Sequence, residues 1–396
     1  MKLQRRSLPY CLRTLIAACC LATLAPLAAA DSLVMAAKRI SDDAARGEFD
    51  SVLTALKGTD DVNASTPEVR DLIADLEAHQ QKQLERTEQR RTAYAEAMDE
   101  VARFLAENNI DKALTSAIDA HDLAFDVDKM LESAVIEQLV QRANKARDAA
   151  RQRGDWVEVL TISRTLELLY GQRRPEYRDR TEQARAHIRI LQRYAPEELK
   201  RLYAERAKRQ GIEDPEPLDF GQETWEQKLE GVQRSQLHMA LRHAAKFHIA
   251  NDGYRTLLQG AIHEMEIFLG TKGVEQTFPS LQDQPTVERF RNYLKTMSRL
   301  IDEQEDKPSL FDSVTYIHRI LDYNERTLKL PEQLMIHELA EGAMGALDDF
   351  SSVICPHDLD QFRRTMHGEF SGVGIQISRR FDAERGLYEL LVVTPL

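Results

Sequence analysis

The sequence predicts a mainly α protein whose last residues turn to β structure, and three observations carry that reading. Residues 31–211 are sparse in glycine and proline and dominated by Ala, Leu, Glu, Gln and Arg, the good helix formers. Helical patterning resumes beyond a short proline-containing stretch at 212–217. From residue 371 the period drops to two, with Val373, Ile375 and Ile377 alternating with small or polar residues. At 396 residues, 42% hydrophobic and 30% charged, the chain has room for two or three folded domains.

The amino terminus has its own signature. Arg5, Arg6 and Arg13 make a basic start, and residues 14–30 are uncharged. The apolar run over 15–25 is too short for a stable membrane span. Pro26 and then Ala28-Ala29-Ala30 give the small-residue pattern of a signal-peptidase site. Residues 1–30 are therefore expected to be a signal peptide, with the mature chain starting at Asp31; an uncleaved anchor is the alternative. Export follows, to the periplasm or outside the cell, with membrane association left open. Cys11, Cys19 and Cys20 fall in this leader, so only Cys355 remains and no internal disulfide can form. Losing Lys2, Arg5, Arg6 and Arg13 takes the formal net charge from −12 to −16. So acidic a body repels phosphate backbones, and nucleic acid is excluded as a partner.

Within 31–211, Thr66-Pro67-Glu68 reads as a helix start, a capping hydroxyl followed by proline at the first helical position. The helix it opens is expected to reach residue 107. Its middle, 79–91, has Leu84 as its only large apolar residue and is expected to stand in solvent or meet a partner. A short pattern recurs: Gly47-Glu48-Phe49-Asp50 leads to Leu53, Asn108-Asn109-Ile110-Asp111 to Leu114, and Gly154-Asp155-Trp156-Val157 to Leu160. Each has a turn residue, a large apolar residue two places on, and a leucine four beyond. The pattern resembles tetratricopeptide-type repeats, although its spacings of 61 and 46 residues are irregular. An α-solenoid or loosely repeated helical hairpins are expected, with an irregular bundle as the alternative.

A second helical region spans 220–368. It carries a faint internal echo: Leu257-Leu258-Gln259-Gly260-Ala261-Ile262 is answered by Glu338-Leu339-Ala340-Glu341-Gly342-Ala343-Met344. Each precedes a proline-containing loop and a short amphipathic helix. Residues 369–396 then read as two strands separated by a turn at 382–386, and two strands alone leave edges unpaired. The chain is expected to be interrupted there rather than finished.

Residues 338–396 resemble the carboxy-terminal processing (tail-specific) serine peptidases. The segments that carry the resemblance are Gly342-Ala343-Met344 with Leu347-Asp348, Ser351 or Ser352 with Pro356, the acidic helix over 358–362, and Gly368-Glu369-Phe370-Ser371-Gly372-Val373-Gly374-Ile375-Gln376-Ile377. One departure is Asp349-Phe350, where the family has proline and histidine. The resemblance implies that 369–396 begins a PDZ domain, truncated here, and that the intact product is a serine endopeptidase selecting proteins by their C-terminal tails. It also implies a serine nucleophile with a lysine base, both in a domain beyond the PDZ. No position among these 396 residues inherits a catalytic role, and the chain alone should be inactive.

The binding candidates are Gly372, Val373, Gly374 and Ile375. Small residues there let successive backbone N–H groups converge on an anion, and the strand that follows can add an extended peptide at its edge. The expected partners are proteins or peptides with free C-termini, with homo-oligomerisation or adaptor binding assigned to the helical part. The rival function is a non-catalytic periplasmic helical-repeat scaffold for protein–protein interaction. No metal or cofactor is expected. His337-Glu338-Leu339-Ala340-Glu341 lacks the second histidine of a zinc-peptidase helix, and so does His263-Glu264-Met265-Glu266-Ile267. Both read as surface or half-buried helix residues. Asp302, Glu303, Glu305 and Asp306 read as solvated surface, and Trp156 and Trp225 as core.

Overall fold

The computed structural model describes residues 27–57, 67–213, 215, 218–221, 223–249, 253–348, 350–367, 375–382 and 387–395. Within them the chain is mainly α, with one pair of strands near its carboxyl end. Residues 1–26 of the expected leader lie outside the described residues, while 27–30 form the first turn of α1 (Leu27–Arg46). No helix among the described residues is long and apolar enough to cross a membrane.

The chain divides into two units: residues up to Ala102 with Asp119–Val127, and Arg103–Ile118 with everything from Asp128. In the first, α1 and α2 (Phe49–Lys57) form a hairpin over a small core of Ile40, Val52, Leu53 and Leu56, joined by Leu76 of α3 (Pro67–Ala106). The proline at the start of α3 is where the sequence puts it; Thr66, its expected cap, lies outside the described residues. At 40 residues α3 is about 60 Å long. Its middle is exposed almost all round, Leu84 included, as the lack of an apolar stripe requires.

The three recurring motifs are helix–turn–helix reversals. Gly47, Asn108 and Gly154 take φ of 79°, 57° and 82°. That left-handed geometry stops a helix, and only glycine, or asparagine less readily, adopts it cheaply. New helices start close behind at Phe49, at Ile110 (α4, Ile110–Leu123) and at Trp156 (α7, Trp156–Tyr170). Gly154 closes α6 (Ala134–Arg153) by donating its N–H to Ala150 and Arg151 carbonyls, and the Asp155 carboxylate caps α7 by accepting from the Glu158 N–H. Between α4 and α6 lies the single turn α5 (Val127–Leu131). Leu53 and Leu114 are buried and Leu160 half-buried.

The second unit continues through α8 (Glu176–Tyr194), α9 (Pro196–Arg209), α10 (Trp225–Lys228), α11 (Arg234–Phe247), α12 (Gly253–Gly270), α13 (Gln284–Glu303), α14 (Leu310–Arg326), α15 (Glu332–Gly345) and α16 (Leu359–His367). One apolar core runs from Ala150 to Cys355, so helices on both sides of the 211–220 segment bury their faces together. Trp156 is buried in it and Trp225 packs half-buried against it. Asp302, Glu303, Glu305 and Asp306 are exposed, and Arg255 ties their loop by donating to the Asp302 and Gln304 carbonyls.

The two echoing segments meet. α12 and α15 pack together, and Gly260 and Gly342 mark their closest approach. A Cβ at Gly260 would collide with the Gly342 carbonyl oxygen, and one at Gly342 with the Gly260 carbonyl oxygen and the Glu264 Cβ. Two helix backbones come this close only where neither residue has a side chain. The carboxyl end is an antiparallel pair, β1 (Ile375–Asp382) with β2 (Leu387–Pro395), whose register shifts between Gln376 and Ile377. In a two-stranded sheet each strand keeps one edge without a partner among the described residues.

Candidate functional site

Of the four residues expected to bind a peptide terminus, Ile375 is the first residue of β1 and pairs with Pro395. Gly372, Val373 and Gly374 lie outside the described residues. The backbone that enters the sheet at Ile375 is thus the only part of this loop that can be placed.

The second unit holds a polar cluster whose members no sequence pattern brings together. His337 and Glu338 of α15 are 4% and 1% exposed, which corrects the expectation of surface or half-buried positions. The cause is visible along α15: Leu334, Met335, Ile336, Leu339 and Ala340 make it apolar all round, and such a helix is buried on every side. Glu338 accepts a hydrogen bond from the Tyr194 hydroxyl at 2.7 Å and lies 3.4 Å from an Arg193 nitrogen. The His337 Nδ1 stands 3.0 Å from the same Glu338 oxygen and 3.2 Å from Arg193, and Cys355 lies beside the imidazole. Residues 193, 194, 337, 338 and 355 thus tie α8, α15 and the loop after α15 into one knot.

Its protonation follows from opposing causes. Burial pulls the His337 pKa down, but hydrogen bonds to Cys355 and Glu338 and the charge of Glu338 outweigh burial and lift it to about 9. Burial pushes the Glu338 carboxyl up, yet His337, Arg193 and Tyr194 more than reverse this and hold it below its ordinary value. The raised pKa favours an imidazolium near neutrality beside the Glu338 carboxylate, with Arg193 as a second cation on the same carboxylate. The arrangement is a buried charge knot, a means of fixing helices rather than a nucleophile facing open solvent. No group of three or more His, Cys, Asp or Glu among the described residues is placed to hold a metal ion.

A second buried histidine has the opposite character. His187 stacks on Trp156, ring centroids 3.3 Å apart, with Nδ1 2.6 Å from the Thr271 hydroxyl. Burial, then the charges of Arg151 and His263, drive its pKa down to about 3. The two histidines bend stability in opposite directions. His337, raised above its unfolded value near 6.5, contributes fully below pH 6.5 and loses that contribution as pH rises through about 9. His187, lowered, contributes fully above pH 6.5 and loses it as pH falls toward 3. On the acid side Glu264 and Glu158, both raised mainly by burial, oppose this loss, while Glu338 and Asp348, both lowered, add to it. Stability should peak near pH 6.5 and fall by about 2–3 kcal/mol by pH 9.5. Urea midpoints across this range check it; a flat alkaline limb would remove the charge from His337.

No protein-family model, curated protein or solved structure matches this chain.

Proposed function

We propose that this chain is the substrate-selecting, non-catalytic part of an exported serine endopeptidase of the carboxy-terminal processing type. Its helical units admit or present polypeptides, and the segment from Gly368 onward begins a PDZ-type fold that takes a free C-terminus. The reading rests on one observation above others: the glycine-bearing sequence at 372–374 immediately precedes β1, a strand with one edge unpaired among the described residues. In such a site the N–H groups around Val373, Gly374 and Ile375 hold the terminal carboxylate while the peptide adds alongside the strand. The order of elements supports the same reading. A glycine-containing helix, α15, is followed by a proline turn at Pro356–Asp358, the short helix α16 and then antiparallel strands, which is the order that the resemblance over 338–396 implies. No nucleophile or base is assigned here, because in that family both lie in a domain beyond the PDZ.

The test uses one peptide in two forms, ending in a free carboxylate or in an amide, titrated onto the protein by fluorescence anisotropy. At least tenfold tighter binding of the free acid is expected, about 1.4 kcal/mol or more. Equal affinities would remove the carboxylate cradle and leave the non-catalytic helical scaffold as the better reading.

A further inference from the structure

Two histidines from different helices stand side by side in the second unit. The rings of His238, on α11, and His318, on α14, have centroids 5.2 Å apart and planes tilted by 55°. Each has core residues for neighbours, Leu237 and Leu241 on α11 and Ile317 and Leu321 on α14. Both imidazoles are half-buried and so lie at the margin where that core meets solvent. The His238 Nε2 is shielded from solvent and has no hydrogen-bond partner. A shielded polar atom without a partner is uncommon in a folded protein and calls for a cause, of which a bound ion is one.

The charges around the pair leave room for a cation. Arg234, one turn before His238, is held by both carboxylate oxygens of Glu332, at 2.8 and 2.7 Å, and Asp322 and Glu325 of α14 also act on it. Burial first, then the charges of His318 and Arg234, lower the His238 pKa, so this imidazole is neutral at pH 7. Neutral imidazole is the form that ligates a metal, because the proton and the metal compete for one lone pair.

The spacing selects the metal. An imidazole centre lies about 1.2 Å behind its ligating nitrogen and zinc about 2.0 Å in front, so two rings converging on one tetrahedral zinc have centres about 5.2 Å apart. The right-angled opening that copper(II) prefers would bring the centres to about 4.5 Å. The observed 5.2 Å is the tetrahedral value. No third His, Cys, Asp or Glu among the described residues completes the set, so the remaining positions on the ion fall to water.

We propose that His238 and His318 together bind a zinc(II) ion, which fastens α11 to α14. This stands apart from peptide-terminus recognition at 372–375 and holds whether or not that reading survives. Helices carry both ligands, and a site built on helices keeps its geometry better than one built on loops.

The experiment titrates zinc chloride into the metal-free full chain by calorimetry at pH 7.5. One ion is expected to bind per chain and to raise the melting temperature, as any ligand of the folded state does. His238→Gln and His318→Gln should each weaken zinc at least tenfold while leaving the metal-free melt unchanged. The double substitution should bind no more weakly than either single one, because one imidazole alone forms no chelate. His357→Gln, which removes a ring 3.2 Å from the Glu223 carboxylate, should leave zinc binding as it was. A measurement on the unsubstituted chain needs no variant to fold: zinc should protect His238 and His318, and no other histidine, from diethyl pyrocarbonate. Failure to bind zinc would overturn the inference. So would full-strength binding by His238→Gln or His318→Gln, or protection confined to other histidines, since either would mark an ion held adventitiously elsewhere.

Discussion

Replacing Glu338 with alanine is expected to destabilise the second unit by about 3–5 kcal/mol. The carboxylate is 1% exposed and is the shared anion of His337 and Arg193, with the Tyr194 hydroxyl as a further donor. Without it, a buried imidazolium and the partly buried Arg193 remain side by side with no shared anion, and a buried hydroxyl loses its acceptor. A buried ion pair need not stabilise a fold relative to apolar residues, but removing one member leaves the other's desolvation uncompensated. Glu341, in the next turn of the same helix, is half-buried, and Glu341→Ala should cost no more than about 1 kcal/mol. The two tryptophans, Trp156 and Trp225, both belong to the second unit, so their fluorescence in guanidinium reports on it alone. Equal midpoints for the two variants would mean that the knot carries no special weight.

Gly342→Val should cost about 3 kcal/mol for a different reason. The new side chain would meet the carbonyl oxygen of Gly260 and the Glu264 Cβ, and a helix backbone cannot turn aside as a flexible side chain can. α12 and α15 would have to separate, opening voids along a core that includes Leu257, Ala261, Leu339 and Ala343. Gly345, three residues on, has nothing within 4 Å of its would-be Cβ, so Gly345→Ala should be neutral or slightly stabilising. Thermal melts of the two single variants separate a steric cause from a general loss of glycine. If both melt alike, the close crossing is not what holds these helices.

Much of the helical architecture could be read directly from the chain. The proline start of α3, and an end at Ala106 one residue short of the expected 107, were legible from composition and the Pro-Glu start, because local signals decide where a helix begins and stops. The turns at Gly47, Asn108 and Gly154 were legible because a left-handed residue between helices restricts the choice of amino acid. The knot around Glu338 was not, since it joins residues 144 positions apart and no periodicity encodes that meeting. A signal was nonetheless present: His337 and Glu338 sit in an α15 that is apolar on all faces, which marks them as buried even though their partners stay unknown. The echo between 257–262 and 338–344 could be seen as repetition, but not that the two copies press together at their glycines. The core from Ala150 to Cys355 likewise joins helices that the 211–220 segment separates in sequence. Proline and acid content there marked a connection, and composition alone does not say whether a connection parts two cores.

Tail recognition is tested most directly by following the backbone amides of residues 372–377 by nuclear magnetic resonance while a peptide is added in its free-acid and amidated forms. The account predicts that the amides of Val373, Gly374 and Ile375 shift with the free acid and remain in place with the amide, as hydrogen bonds to a terminal carboxylate require. Identical shifts with both forms, or shifts confined to the helical units, would contradict it.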